Sequence, residues 1–245
     1  MTDLGERPAS GRVFQGVRRV RLADVSPAGR LRLDATARFL QDLSADDTAD
    51  AAMPDAEAWV VRKTSIEVAA FPRYLESLEL ATWCSGTGSH WAERRISIVG
   101  AEGGAVEAAT TWVHVGVGSG RPSRIPAGFD EIYGEASGGR RVKARLDHPD
   151  PPDGELNGFA WPLRLTDFDV LGHVNNAACW QIVEEALSSR RDLRAPLGAE
   201  VQHRTAIERD AAVEVMTADD RDGLSLWVTA DGAVAVTATV TPHIR

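Results

Sequence analysis

The chain has 245 residues, 43% hydrophobic and 26% charged, a globular balance long enough for one large domain or two small ones with a shared core. Its formal net charge of -9 at pH 7 argues against a duplex nucleic-acid binder, which needs a basic face. The two cysteines, Cys84 and Cys179, form neither a disulfide framework nor a metal pattern, and no stretch approaches the roughly 20 apolar residues of a membrane span.

The polar lead "MTDLGERPASGR" is not followed by an apolar segment of signal-peptide type, which predicts a soluble, cytoplasmic protein. Arg21 to Leu43, "RLADVSPAGRLRLDATARFLQDL", reads as a strand, a glycine turn and a helix. The runs "AWVVRKTSIEV", "YLESLELATWC" and "WAERRISIVGAEGGAVEAATTWVHV" alternate with period two and hold a glycine hairpin at Gly103-Gly104, so they predict antiparallel strands. The stretch "ASGGRRVKARLDHPDPPDGELNG" is rich in Gly, Pro and Asp and reads as a linker. Arg164 to Ala186, "RLTDFDVLGHVNNAACWQIVEEA", is again strand, turn and helix, and strand-like runs with an Asp231-Gly232 hairpin follow.

The two strand-turn-helix stretches align at an offset of 164 − 21 = 143: Arg21 falls on Arg164, Leu22 on Leu165, Asp24 on Asp167 and Gly29 on Gly172. The order of elements repeats as well as the residues. A single helix cannot cover itself, and a curved antiparallel sheet wrapped around it buries both. Two such units would join their sheets edge to edge, removing an exposed edge. The expected fold is therefore α+β, a double hotdog in one chain: a first hotdog over 12–136, a linker over 137–156 and a second hotdog over 157–245.

The copies differ in their chemistry. Asp169 faces Ser26, His173 faces Arg30, and Asn175 and Asn176 face Arg32 and Leu33. Groups able to trade protons occur only in the second copy. Asn175 or Asn176 can cap the following helix, whose free N–H groups and partial positive charge suit a developing oxyanion. Gly172 leaves room for a substrate to approach the backbone. Asp169 and His173 lie four residues apart across a turn, so both can address one spot as base and partner. An Asx turn for Asp169, a loop role for His173 and plain capping for the asparagines are the structural alternatives. His114 reads as a strand residue, His203 as a residue that could approach the loop, and His90, His148 and His243 as surface residues. No HxH, HExxH or CxxC spacing supports a metal, no cofactor is implied, and no GxSxG elbow supports a serine hydrolase.

"DFDVLGHVNNAACW" resembles the signature of the acyl-ACP thioesterases, D-x-D-x-N-x-H-V-N-N-x-x-Y, and "WVVRKTSIEVAAFPRYLESLELATWCSG" is similar to that family's first-half segment, W-V-L-x-R with a Y-P and later E-T-W-C. The resemblance covers nearly the whole chain after about residue 12. It implies hydrolysis of the thioester between a fatty acyl chain and the phosphopantetheine of acyl carrier protein, with the acyl pocket in the first hotdog and catalysis in the second. The motif's second aspartate matches Asp169, its histidine His173, and its paired asparagines Asn175 and Asn176. The motif asparagine is Leu171 here, the family's downstream glutamate falls on Ala206 and its cysteine on Ile207, and Cys179 replaces the usual tyrosine. An acyl-CoA thioesterase and a non-catalytic acyl-binding hotdog remain as alternatives, and a homodimer is left open. Carrier proteins in the family's reactions are acidic, so docking to this acidic chain calls for a local basic patch. Three groups offer one: Arg18, Arg19 and Arg21; Arg190, Arg191 and Arg194; and Arg140, Arg141, Lys143 and Arg145.

Overall fold

The computed structural model describes residues 7–53, 59–116, 118–153, 156–220 and 223–243. The lead before residue 7 and the end of the expected second half, 244–245, lie outside the described residues. In chain order the elements are β1 (Phe14–Arg19), α1 (Leu33–Asp50), β2 (Trp59–Ala70), β3 (Ser77–Thr87), β4 (Trp91–Gly100), β5 (Ala105–His114), α2 (Phe129–Ser137), β6 (Asn157–Ala160), α3 (Asn176–Ser188), β7 (Leu197–His203), β8 (Val213–Asp220), β9 (Gly223–Ala230) and β10 (Ala233–Pro242).

Among the described residues, the ten strands form one antiparallel sheet in the order β1-β3-β4-β5-β2-β7-β10-β9-β8-β6. Read from the centre outwards, β2-β5-β4-β3-β1 on one side mirrors β7-β10-β9-β8-β6 on the other. Each half thus repeats one strand order, and the halves meet where β2 pairs with β7, from Lys63 opposite Gln202 to Val68 opposite Leu197. This is the double hotdog that the repeat predicts. Alternation explains the one-sided strands: β1 buries every second residue more deeply, and β10 turns back from β9 through Asp231 and Gly232, both at positive φ (51° and 82°) as a type I′ turn requires.

The two central helices pack against each other under the sheet. One continuous core holds Leu33, Leu40 and Leu43 of α1, Trp180, Ile182 and Val183 of α3, and Ile66, Ile96, Val201, Leu226 and Val236 of the sheet. Each such side chain removed from water contributes about 1.5–3 kcal/mol. No described helix is long and apolar enough to cross a membrane.

Three expectations need correcting. Residues 22–24 and 165–167 are short 3-10 turns rather than strand, because the carboxylates of Asp24 and Asp167 accept the backbone N–H groups of Arg21 and Arg164 (both 2.8 Å) and curl the chain. The first half also carries a second helix, α2. Its nine residues have little local drive to form a helix, and packing supplies it: the Phe129 ring packs tilted against Trp59 (5.3 Å between centroids) and Tyr133 against Phe129 (5.0 Å). His148 and His243 are not free surface residues. His148 bonds Thr237 (3.0 Å) and faces Glu200 (3.2 Å), while His243 pairs with Glu67. The irregular segment around His148 is pinned to the second half, where Gln202 Oε1 accepts from the Asp147 and His148 N–H groups (3.0 and 3.1 Å) and the Trp227 indole donates to the Pro149 carbonyl (2.9 Å).

Candidate active site

The loop before α3 is built by bonds that close within it. Asp167 accepts from Arg164 N–H and its carbonyl accepts from Asn175 N–H (2.7 Å). Asp169 N–H donates to the His173 carbonyl (3.0 Å), and Gly172 N–H donates back to the Asp169 carbonyl (3.0 Å). Gly172 sits at φ 81° with open space around its missing Cβ, the conformation that favours glycine. Phe168 bridges Val174 outside this turn. The backbones of Asp169 and His173 therefore meet at the neck of a closed turn, both residues half-buried, and no bond joins their side chains among the described residues. Asp169 Oδ1 accepts from Leu171 N–H (2.9 Å), which makes it an Asx-turn residue. Its other oxygen carries no bond among the described residues.

Asn175 is the N-cap of α3, its Oδ1 accepting from Ala177 N–H (2.8 Å). Asn176 is the first helical residue. The supply of free donors at this helix start is narrower than the sequence suggests. Val174 N–H is taken by the Ile207 carbonyl (3.0 Å) and Asn175 N–H by Asp167. The N–H of Asn176 is free among the described residues and points the way the helix dipole favours a negative charge.

The first-half loop copies these bonds at the same offset: Gly29 N–H to the Ser26 carbonyl, Arg32 N–H to the Asp24 carbonyl, and a Val25–Leu31 bridge. Its chemistry is closed. Glu184, reaching across from α3, accepts from Leu33 N–H (3.1 Å) at the start of α1 and pairs with Arg30 (2.6 Å), whose guanidinium lies 4.4 Å over Phe71.

A cavity of about 480 Å³ lies between α1, α2 and the first-half sheet. Gln41, Ser44, Ala45, Thr48 and Ala49 border it from one face of α1 and Ala52 from the turn after that helix, with Trp59, Trp112 and Tyr133 opposite. A separate narrow gap of about 30 Å³ is bordered by Gln41, Ser44 and Trp112, which also border the cavity, and by Asn176, Ala177 and Trp180 at the start of α3.

Residues 11–133 match the acyl-ACP thioesterase N-terminal domain and residues 153–238 the C-terminal domain of the same family. The chain belongs to the acyl-ACP thioesterase family. An uncharacterised protein of Mycobacterium tuberculosis is 32% identical to this thioesterase over 208 residues, 84% of this chain and 82% of its own. The chloroplastic acyl-[acyl-carrier-protein] hydrolase FATB3 of Cuphea viscosissima is 26% identical over 66% of this chain and 41% of its own. In structure, the 12:0-ACP thioesterase of Umbellularia californica superposes with a TM-score of 0.75 over 94% of this chain and 96% of that one at 18% identity, so it shares the fold. The family's activity, hydrolysis of the acyl thioester of acyl carrier protein, is the activity of this chain.

The departures from the family motif take a definite form in this thioesterase. Leu171 is exposed at the turn tip and gives the site no hydrogen bond from its side chain. Ala206 is exposed, and Ile207 is buried beneath the loop. Two residues beyond Ala206, however, the carboxylate of Glu208 approaches His173 Nε2 at 3.3 Å. The family motif does not point to Glu208, and only its acidity in the sequence hints at a role there. Burial pushes the Cys179 thiol up to about 12 and the Cys84 thiol up to about 11, so both are neutral and unreactive at pH 7. His203 is buried in β7 and makes no bond to the loop. His114 is a buried strand residue against Trp59 (5.2 Å).

Proposed function

We propose that this thioesterase holds the acyl chain in its first-half cavity and hydrolyses the thioester at the start of α3. The observation that carries this reading is the gap beside the cavity, which shares Gln41, Ser44 and Trp112 with it and is bordered by Asn176 and Ala177. The small face of α1 leaves room for a chain, and Asn176 of the second half borders the gap, with Asp169 and His173 in the loop that leads into α3. With the carbonyl at the α3 N-terminus, the free Asn176 N–H and the helix dipole polarise it. Asp169 is the base. It takes a proton from water as the water oxygen bonds to the carbonyl carbon. The tetrahedral adduct then expels sulfur, the C–S bond breaks, and the proton returns to the thiolate. The products are a free fatty acid and the carrier's thiol. A thiol pKa near 8.5 makes the sulfur a good leaving group, so no strong general acid is needed.

His173 positions the water beside Asp169, and Glu208 holds the imidazole from its outer side. This gives the site an acidic residue at a position other than Ala206. Asn175 builds the helix start, and Gly172 opens the approach. The direct test measures thiol release from acyl-ACPs of several lengths and from the matching acyl-CoAs. Faster turnover of acyl-ACP, abolished in Asp169→Asn, is expected. Equal turnover on CoA would make the carrier irrelevant, and absence of turnover on both would leave an acyl-binding protein without catalysis.

A further inference from the structure

The pseudo-symmetry of the two helices points to an active-site residue that the loop motif does not contain. Leu33 and Asn176 begin α1 and α3, and Gln41 and Glu184 each lie eight positions further on (41 − 33 = 184 − 176 = 8). The helices pack so that Glu184 reaches the start of α1, where its carboxylate takes the Leu33 N–H (3.1 Å) and two bonds from Arg30 (2.6 and 3.2 Å). The same relation brings Gln41 to the start of α3, and Gln41 borders the narrow gap together with Asn176 and Ala177.

At this second end the positions are the same and the chemistry is inverted. The Asn176 N–H, mate of Leu33 N–H, is free among the described residues. The Gln41 side chain makes no hydrogen bond among them and also borders the acyl cavity. Where Arg30 braces Glu184, the mated residue is His173, which turns to Glu208. A carboxylate at position 41 would occupy the helix start as Glu184 does. A carboxamide leaves the start open and offers an N–H of its own.

We propose that Gln41 is a catalytic residue supplied by the first half: its Nε2–H, with the Asn176 N–H, donates to the thioester carbonyl oxygen as that oxygen takes on charge. The two donors come from opposite halves and border the same gap beside the acyl cavity. Gln41 is neutral, so it stabilises the oxyanion without competing with Asp169 for the proton. The inference rests on the start of α3 being the reaction site.

The test uses the full-length enzyme with Gln41→Met, which keeps the volume and removes the donor, and Gln41→Glu, which rebuilds the plug seen at α1. Loss of an oxyanion donor lowers kcat by about 10²–10³-fold. That loss is expected in Gln41→Met at every chain length, with KM little changed. Binding of an acyl trifluoromethyl ketone, whose hydrate carries an oxyanion, should weaken in parallel, while binding of an inert acyl-pantetheine amide should not. Gln41→Glu should be at least as impaired, and the mirror variant Glu184→Gln should keep wild-type kcat. If Gln41→Met keeps kcat within about tenfold and shifts only the preferred chain length, Gln41 is a pocket wall and the inference is overturned. An inactive wild-type enzyme would overturn the proposed function and this inference together. An active wild type that Asp169→Asn kills but Gln41→Met leaves untouched would overturn this inference alone.

Discussion

Replacing Asp169 with asparagine separates chemistry from architecture at this site. The carboxylate has a structural duty, since Oδ1 accepts the Leu171 N–H at 2.9 Å. An alanine would lose that bond, worth about 0.5–1.5 kcal/mol, and would loosen the turn that aims His173. Asparagine keeps an acceptor in the same place and removes only the basicity. The fold should therefore be nearly unaffected, and a cost below about 1 kcal/mol moves Tm by no more than about 2–4 °C in a chain of this size. The rate should fall by the full worth of a general base, about 10²–10⁴-fold, or roughly 3–5 kcal/mol in the barrier. Thiol release from acyl-ACP under single-turnover conditions measures the loss, and a thermal melt measures the stability. Ser26→Ala and Arg30→Ala are the matched first-half controls. Arg30→Ala should lower Tm, because Glu184 loses its partner, while leaving the chemical step nearly intact. Retention of more than about a tenth of wild-type rate in Asp169→Asn, or an equal loss in either control, would refute the division of labour between the halves.

Ala49 lies two helical turns beyond Gln41 on the cavity face of α1, about 12 Å along the axis. Ala49→Phe should depress kcat/KM for acyl chains that reach past that depth and spare shorter ones, as a chain-length series would reveal. Glu208→Gln should cost at most about fivefold in kcat, because its pairing with His173 is exposed and such pairs contribute about 0–1 kcal/mol; a loss as large as that of Asp169→Asn would make Glu208 the base. Burial first, and the neighbouring Arg62 charge second, push His203 down to about 4. The unfolded chain therefore takes up this proton first, and the stability held by a neutral His203 is complete above pH ~6.5 and lost as pH falls from there towards 4. Glu200 is held down to about 2, where bonds from His148, Ser65 and Gln202 outweigh the burial that raises it, so its contribution is complete above pH ~4.5 and lost between there and 2. Melts against pH should fall in both windows, and His203→Gln should flatten only the upper one. KM for acyl-ACP should rise with salt, since exposed charges are screened over about 8–10 Å; a salt-independent KM would point to a small thioester as substrate.

The loop before α3 was legible in the residues because its bonds close within a dozen positions. Asp167, Asp169, Gly172 and Asn175 each satisfy a neighbour's backbone group, and the stretch from Arg21 to Leu33 repeats the Asp24 bond and the backbone bonds of the turn, so turn and repeat could be read without a fold. The strand runs were legible for a similar reason, since alternation reports one buried face and nothing more distant. Helix α2 was not legible, because its stability comes from Trp59 and the sheet rather than from its own nine residues. Glu208 was hidden because its place beside His173 depends on how the segment after β7 passes under the loop. The residues alone also left two similar helix starts. Only the packing of α1 against α3 decided that one is plugged and the other open, because the deciding side chains, Glu184 and Gln41, sit on the opposite helix, 151 and 135 positions away (184 − 33 and 176 − 41). A contact of that range is fixed by the burial of two apolar helix faces under one sheet, which local sequence does not encode.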